Sequence, residues 1–130
     1  GDLVKFDKYG NMIITGRKKD IINRGGEKVS AYEVEEMLHS HPGVLRAAVI
    51  GMPDTRLGER ICAYVQPKDN KALNTTEILA FLKEKGASLL LLPERIEFVP
   101  SLPLTAMDKV DKQKLKEDIT QKLHAEGKIA

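Results

Sequence analysis

At 130 residues the chain has the size of one small domain and is short for a two-substrate enzyme carrying its own nucleotide pocket. Hydrophobic residues at 42% and charged residues at 31% are ordinary for a soluble globular protein, and no apolar run approaches the ~20 residues of a membrane-spanning helix. The 21 basic and 19 acidic residues are interleaved, so the net charge of +2 supplies no concentrated basic block for nucleic acid.

In chain order, Leu3 to Phe6 and Met12 to Thr15 are apolar runs separated by Asp7-Lys8-Tyr9-Gly10-Asn11, whose Asp, Gly and Asn favour a turn. An opening β-hairpin is predicted. Gly16-Arg17-Lys18-Lys19-Asp20 then reads as the end of a linker, and Asn23 to Lys28 as a glycine-containing loop. Ser30 and Glu33 have capping-box spacing ahead of Ala31, Val34, Met37 and Leu38 on one face, which predicts a helix from about Ser30 to Ser40, ended by His41-Pro42-Gly43.

Val44 to Ile50 and Ile61 to Gln66 are the strongest strand candidates and are expected to pair in a central sheet. Cys62, inside the second run, reads as a buried small hydrophobe; as the lone cysteine it excludes an internal disulfide and any all-cysteine metal site. Asn74 and Glu77 repeat the cap spacing before Ile78, Leu79, Phe81 and Leu82, with Gly86 as the stop. Arg95 to Val99 alternates as a short strand. Pro100 to Lys109 is a proline-stiffened surface loop that displays a lysine. Asp111 can cap a last helix in which Leu115, Ile119 and Leu123 share a face, with Val110 stapled against Leu115. The sum is an α+β domain: an N-terminal hairpin, then a small mixed sheet of about three strands flanked by helices. His39, His41 and His124 have no metal-ligand or triad spacing and read as structural or solvated. No metal site is predicted. No signal peptide is recognisable, so the cytoplasm is the expected compartment.

Gly1-Asp2, the run from Gly16 to Lys28, and the run from Pro103 to Lys109 stand in the order and spacing of three motifs of one family. Together they resemble the C-terminal domain of the adenylate-forming superfamily, which includes acyl- and aryl-CoA synthetases, peptide-synthetase adenylation domains and luciferases. Asn23-Arg24-Gly25-Gly26-Glu27-Lys28 and Ser101-Leu102-Pro103-Leu104-Thr105-Ala106 look most like the 2,3-dihydroxybenzoate-AMP ligases of siderophore assembly, although medium- and long-chain acyl-CoA ligases share much of the pattern. The start at Gly1-Asp2 without an initiator methionine fits a piece of a longer polypeptide. On that basis residues 1–18 are expected to be a hairpin and linker end from an N-terminal domain, and residues 19–130 the mobile C-terminal domain.

The resemblance implies that a substrate carboxylate attacks the α-phosphate of Mg-ATP, releasing pyrophosphate, and that the pantetheine thiol of CoA or an aryl carrier protein then displaces AMP. Lys109 matches the catalytic lysine: a compact cation suits the meeting of two anions. Asp2 matches the carboxylate that accepts from the ribose hydroxyls, Arg17 a nucleotide-binding arginine, and Lys19 the hinge. Gly25, Gly26 and Lys28 match the loop presented for thioester formation. The magnesium is expected to travel with ATP, held by the N-terminal domain, and the fragment alone to be inactive. One departure stands out: Asp108 occupies the position that usually holds glycine. Besides the fatty acyl-CoA ligase alternative, two readings of other kinds stay open, a non-catalytic module that binds a carrier protein or another anion, and a domain whose motifs are relics.

Overall fold

The computed structural model describes residues 2–6, 12–17, 21–68 and 72–129. Strands β1 (Asp2–Phe6) and β2 (Met12–Arg17) pair antiparallel in a two-stranded sheet of their own, as the opening apolar runs predict. The remaining elements are β3 (Ile21–Arg24), β4 (Glu27–Ser30), α1 (Ala31–His39), β5 (Val44–Asp54), β6 (Gly58–Pro67), α2 (Thr75–Glu84), a 3-10 turn (Leu89–Leu91), β7 (Arg95–Phe98) and α3 (Lys112–Ala125).

The second sheet runs β4-β3-β6-β5, with β7 also on β6. All pairings are antiparallel except β6 with β7, which gives the mixed sheet expected of an α+β domain. It has five strands where the sequence marks about three. The difference lies in Asn23 to Lys28, which reads as a loop but is the closed end of the β3–β4 hairpin. Strands of four residues are too short to carry a visible alternation.

β5 and β6 form a long hairpin, and both of its faces are covered. Ala47, Val49, Ile61, Ala63 and Val65 pack with Val34 and Leu38 of α1 and Ile78 and Leu82 of α2. The intervening residues Ala48, Ile50, Met52, Cys62 and Tyr64 pack with Leu115, Ile119 and Leu123 of α3. Burial on both faces is the physical reason these strands read as continuous apolar runs. Cys62 lies in this second core layer and is fully buried.

The three helices begin where local sequence places them. The side chains of Ser30, Asn74 and Asp111 each accept a backbone N–H three residues on, from Glu33, Glu77 and Lys114. Such caps are worth about 1 kcal/mol each. The histidines near the end of α1 are structural: His39 Nε2 accepts from Ala47 N at 3.1 Å, and His41 Nδ1 from Gly43 N at 2.9 Å. Among the described residues no helix is long and apolar enough to cross a membrane.

Candidate functional site

Two exposed turns carry Lys109 and the Gly25-Gly26 pair, and they lie toward opposite ends of β5. The first carries Lys109. The chain enters it from Leu102, which is buried and donates its N–H to Gln66 Oε1 at 3.1 Å, and leaves it into the cap of α3. Leu104 and Val110 form an isolated antiparallel bridge, and Asp111 N donates to Pro103 O at 2.8 Å. Both stems are therefore tied together below the tip.

Thr105 organises the tip itself. Its N–H donates to Lys109 O at 2.7 Å, its carbonyl accepts from Asp108 N at 3.0 Å, and its hydroxyl accepts from Met107 N and Lys109 N at 3.3 and 3.4 Å. A tight turn over Ala106 and Met107 is followed by one residue in the left-handed region, the pattern of a three-residue hairpin loop with a bulge. That residue is Asp108, at φ +62°. The left-handed step explains why glycine suits the position, and aspartate is among the few other residues that tolerate it. Lys109 follows it, exposed and without an ion pair among the described residues.

Lys109 borders an open groove of about 650 Å³ whose walls include Arg46, Thr105 and Asp108. Glu35 braces its floor: Oε2 accepts from Val49 N at 2.8 Å and lies 2.7 Å from Lys112 Nζ, linking α1, β5 and the start of α3. The lysine is thus presented from a stem fixed on three sides. The fixed stem sets the backbone of Lys109 and leaves its exposed side chain to reach a ligand.

The second turn is Gly25-Gly26, between β3 and β4. Both glycines have positive φ, +61° and +96°, as a two-residue hairpin turn of the I′ type requires. Gly25 N donates to Leu57 O at 2.9 Å, and Gly26 N to Asn23 Oδ1 at 3.1 Å. A Cβ on Gly25 would stand 2.8 Å from Leu57 Cδ2, whereas one on Gly26 meets nothing within 4 Å. Gly25 is therefore pressed against the β5–β6 turn, and Gly26 offers an open backbone surface. Lys28 is exposed on β4, opposite Asn23 in the register. Ala48, on the lysine groove, and Asp54, beside the glycine turn, are six residues apart on β5. At about 3.3 Å per residue that is roughly 20 Å.

Around the glycine turn lies a charged chain that the local sequence does not reveal. Arg24 grips Glu94 through Nε at 2.6 Å and Nη2 at 3.2 Å; Arg60 Nη1 donates to Glu94 Oε2 at 2.7 Å and Arg60 Nε to Asp54 Oδ1 at 2.8 Å. Burial opposes ionisation of Glu94, but the Arg24 hydrogen bond and charge, the Ile61 N–H and Arg60 outweigh it and hold the carboxyl below the usual carboxylate range. The Leu57 N–H lowers Asp54 against a smaller burial effect, helped by Arg60.

Asp2 and Arg17 are opposite each other in the β1–β2 register, so the hairpin brings the two candidate nucleotide-binding positions together. Lys19 lies outside the described residues. No group of three metal-ligating side chains occurs among the described residues.

Residues 33–109, carrying most of the central sheet and the whole lysine loop, match the model of the AMP-binding enzyme C-terminal domain. The chain belongs to this family. This AMP-binding C-terminal domain is 48% identical over 125 residues to the 2,3-dihydroxybenzoate-AMP ligase of Bacillus subtilis, covering 96% of the chain and 23% of that protein. It is 45% identical to the medium-chain fatty-acid–CoA ligase of Escherichia coli, over 95% of the chain and 22% of that protein. The crystal structure of ATP-bound MatB from Rhodopseudomonas palustris superposes with a TM-score of 0.82 at 33% identity, over 92% of the domain and 24% of that chain. The domain thus spans about a quarter of the length of the proteins it matches.

Proposed function

We propose that this domain works within an ATP-dependent acid–thiol ligase that activates 2,3-dihydroxybenzoate or a related aryl acid. The observation that carries the reading is Lys109, a cation without an ion pair among the described residues at the tip of a hydrogen-bonded loop, in a chain nearly half identical to an aryl-acid AMP ligase. In the first step a carboxylate oxygen of the acid attacks the α-phosphorus of ATP, the bond to the β-phosphate oxygen breaks, and acyl-adenylate and pyrophosphate leave. Lys109 offsets the repulsion between the two anions and the charge that develops at phosphorus. Asp2 accepts from the ribose hydroxyls, and Arg17 donates to ribose or phosphate.

In the second step a pantetheine thiol attacks the acyl carbon and AMP departs. The open backbone at Gly26 suits close approach of a slender pantetheine arm, with Gly25 seating the turn and Lys28 available to a phosphate. Since the two turns are about 20 Å apart along β5, one active centre needs a rotation of the domain between steps, and Lys19 is the hinge. Residues 1–18 belong to the connection with the N-terminal part and residues 19–130 to the moving domain. The N-terminal part holds the acid pocket, most adenine contacts and the magnesium that accompanies ATP. The acceptor is CoA or an aryl carrier protein, and the compartment is the cytoplasm.

A fatty acyl-CoA ligase is the second reading, favoured by the 45% identity to the medium-chain enzyme. ATP–pyrophosphate exchange by the full-length ligase against 2,3-dihydroxybenzoate, salicylate and medium- and long-chain fatty acids separates them. Exchange confined to aryl acids supports the first reading, exchange with fatty acids the second, and none with any acid contradicts both.

A further inference from the structure

β3 is attached to the central sheet by very little backbone. Its register with β6 consists of the single pair Arg24↔Gly58, beside a full antiparallel ladder between β5 and β6. The core holds the hairpin at Ile22 and Val29, away from its turn. At the turn end the ties are Gly25 N to Leu57 O, in the short β5–β6 turn, and Asn23 N to the side-chain Oε1 of Glu59 on β6. What fixes the turn sideways is Arg24, the residue immediately before Gly25, and Arg24 is held by Glu94.

Glu94 is well placed to serve as that fixed point. Pro93 before it is buried, and Glu94 N donates to Ile61 O at 2.8 Å, so its backbone is locked to the central strand. Its two oxygens accept both a forked pair from Arg24 and a bond from Arg60. Arg60 also holds Asp54, whose second oxygen accepts Leu57 N at 2.7 Å and Arg56 N at 3.1 Å, and the Leu57 carbonyl holds Gly25. Glu94 therefore reaches the glycine turn by two routes: directly through Arg24, and through Arg60, Asp54 and Leu57. A forked guanidinium–carboxylate contact fixes direction as well as distance, which a single lysine bond does not.

We propose that Glu94 is the positioning residue of the thioester-forming step: it sets the Gly25-Gly26 turn through Arg24 and through Arg60, Asp54 and Leu57, and takes no part in adenylation. This rests on the ligase reading above. Lys109 and its stem share none of these contacts, so the two half-reactions should part cleanly when Glu94 is altered.

The test compares Glu94→Gln and Glu94→Asp with wild type in the full-length ligase. Three quantities are measured: pyrophosphate exchange, thioester formation from preformed adenylate, and amide hydrogen exchange at Gly25 and Gly26. In Glu94→Gln the expected results are thioester formation slowed about tenfold, corresponding to ~1.4 kcal/mol, pyrophosphate exchange within twofold of wild type, and faster amide exchange confined to the turn. Glu94→Asp, which keeps the charge, should recover most of the thioester rate. Equal loss in both half-reactions would mean a general structural role and overturn the proposal, as would an unchanged thioester rate. Absence of pyrophosphate exchange in the wild type would instead sink the ligase reading, and the amide exchange would still report whether Glu94 holds the turn.

Discussion

Asp108 donates its N–H to the carbonyl of Thr105 at 3.0 Å while taking φ +62°, and that left-handed step delivers Lys109 to the tip of its loop. The position asks for a conformation, and aspartate supplies it at some cost. Asp108→Gly should therefore keep the turn and raise stability by up to about 1 kcal/mol, whereas a β-branched Asp108→Val should cost about 1–2 kcal/mol. Denaturant midpoints of the three proteins check the order. Adenylation by Asp108→Gly is expected within a few fold of wild type; a gain of orders of magnitude would favour the view that the motif is a relic.

Gly25 is pressed against Leu57, and the contact can be separated from backbone strain. Gly25→Ala adds both a positive-φ penalty and a Cβ 2.8 Å from Leu57 Cδ2, while Gly26→Ala adds only the penalty. Gly25→Ala should be the more destabilising, and its excess should shrink when Leu57→Ala is present. A double-mutant cycle on urea unfolding measures this coupling; additive effects would contradict the packing described here.

Cys62 is buried between β6 and α3, and burial, with Glu97 nearby, pushes its thiol up to about 12. A thiol held protonated at neutral pH is inert. Native protein at pH 8 should resist alkylation and react at one site per chain once unfolded, as mass spectrometry after iodoacetamide treatment would show. Rapid labelling of the native state would remove Cys62 from the core.

Acid should loosen the end of α3. The Arg95 hydrogen bond, only partly opposed by burial and aided by Lys128, brings the Glu126 carboxyl down from 4.5 to about 2. A depressed carboxylate contributes stability above its unfolded value, and the contribution is lost as pH falls through the folded one. Unfolding midpoints should thus decline between about pH 4.5 and pH 2, and Glu126→Gln should decline less over that window. Arg95 keeps Glu97 as a partner in the variant, so the comparison isolates Glu126. Parallel pH profiles would show that the pair contributes nothing.

What was legible in the sequence was local. Ser30, Asn74 and Asp111 announce their helices because a capping side chain and the N–H it accepts lie three residues apart, and the β5 and β6 cores show as apolar runs because both faces are buried. The β3–β4 hairpin hides because Ile21-Ile22 and Val29 are all the apolar signal two short strands can hold. The resemblance points to Lys109 and the glycine pair as candidates, but not to Thr105, whose four bonds shape the lysine loop. Nor could it locate Glu94, which meets Arg24 across 70 residues of sequence. Contacts at that separation leave no periodicity to read.

In the proposed ligase Lys109 and Gly26 serve different half-reactions from different ends of one domain. The direct test is to assay Lys109→Ala and Gly26→Ala full-length ligase in both steps separately. Lys109→Ala should lose at least a hundredfold in pyrophosphate exchange, about 3 kcal/mol, and transfer preformed adenylate to the thiol near the wild-type rate. Gly26→Ala should exchange pyrophosphate normally and transfer slowly. Loss of the same step in both variants would contradict the two-ended account.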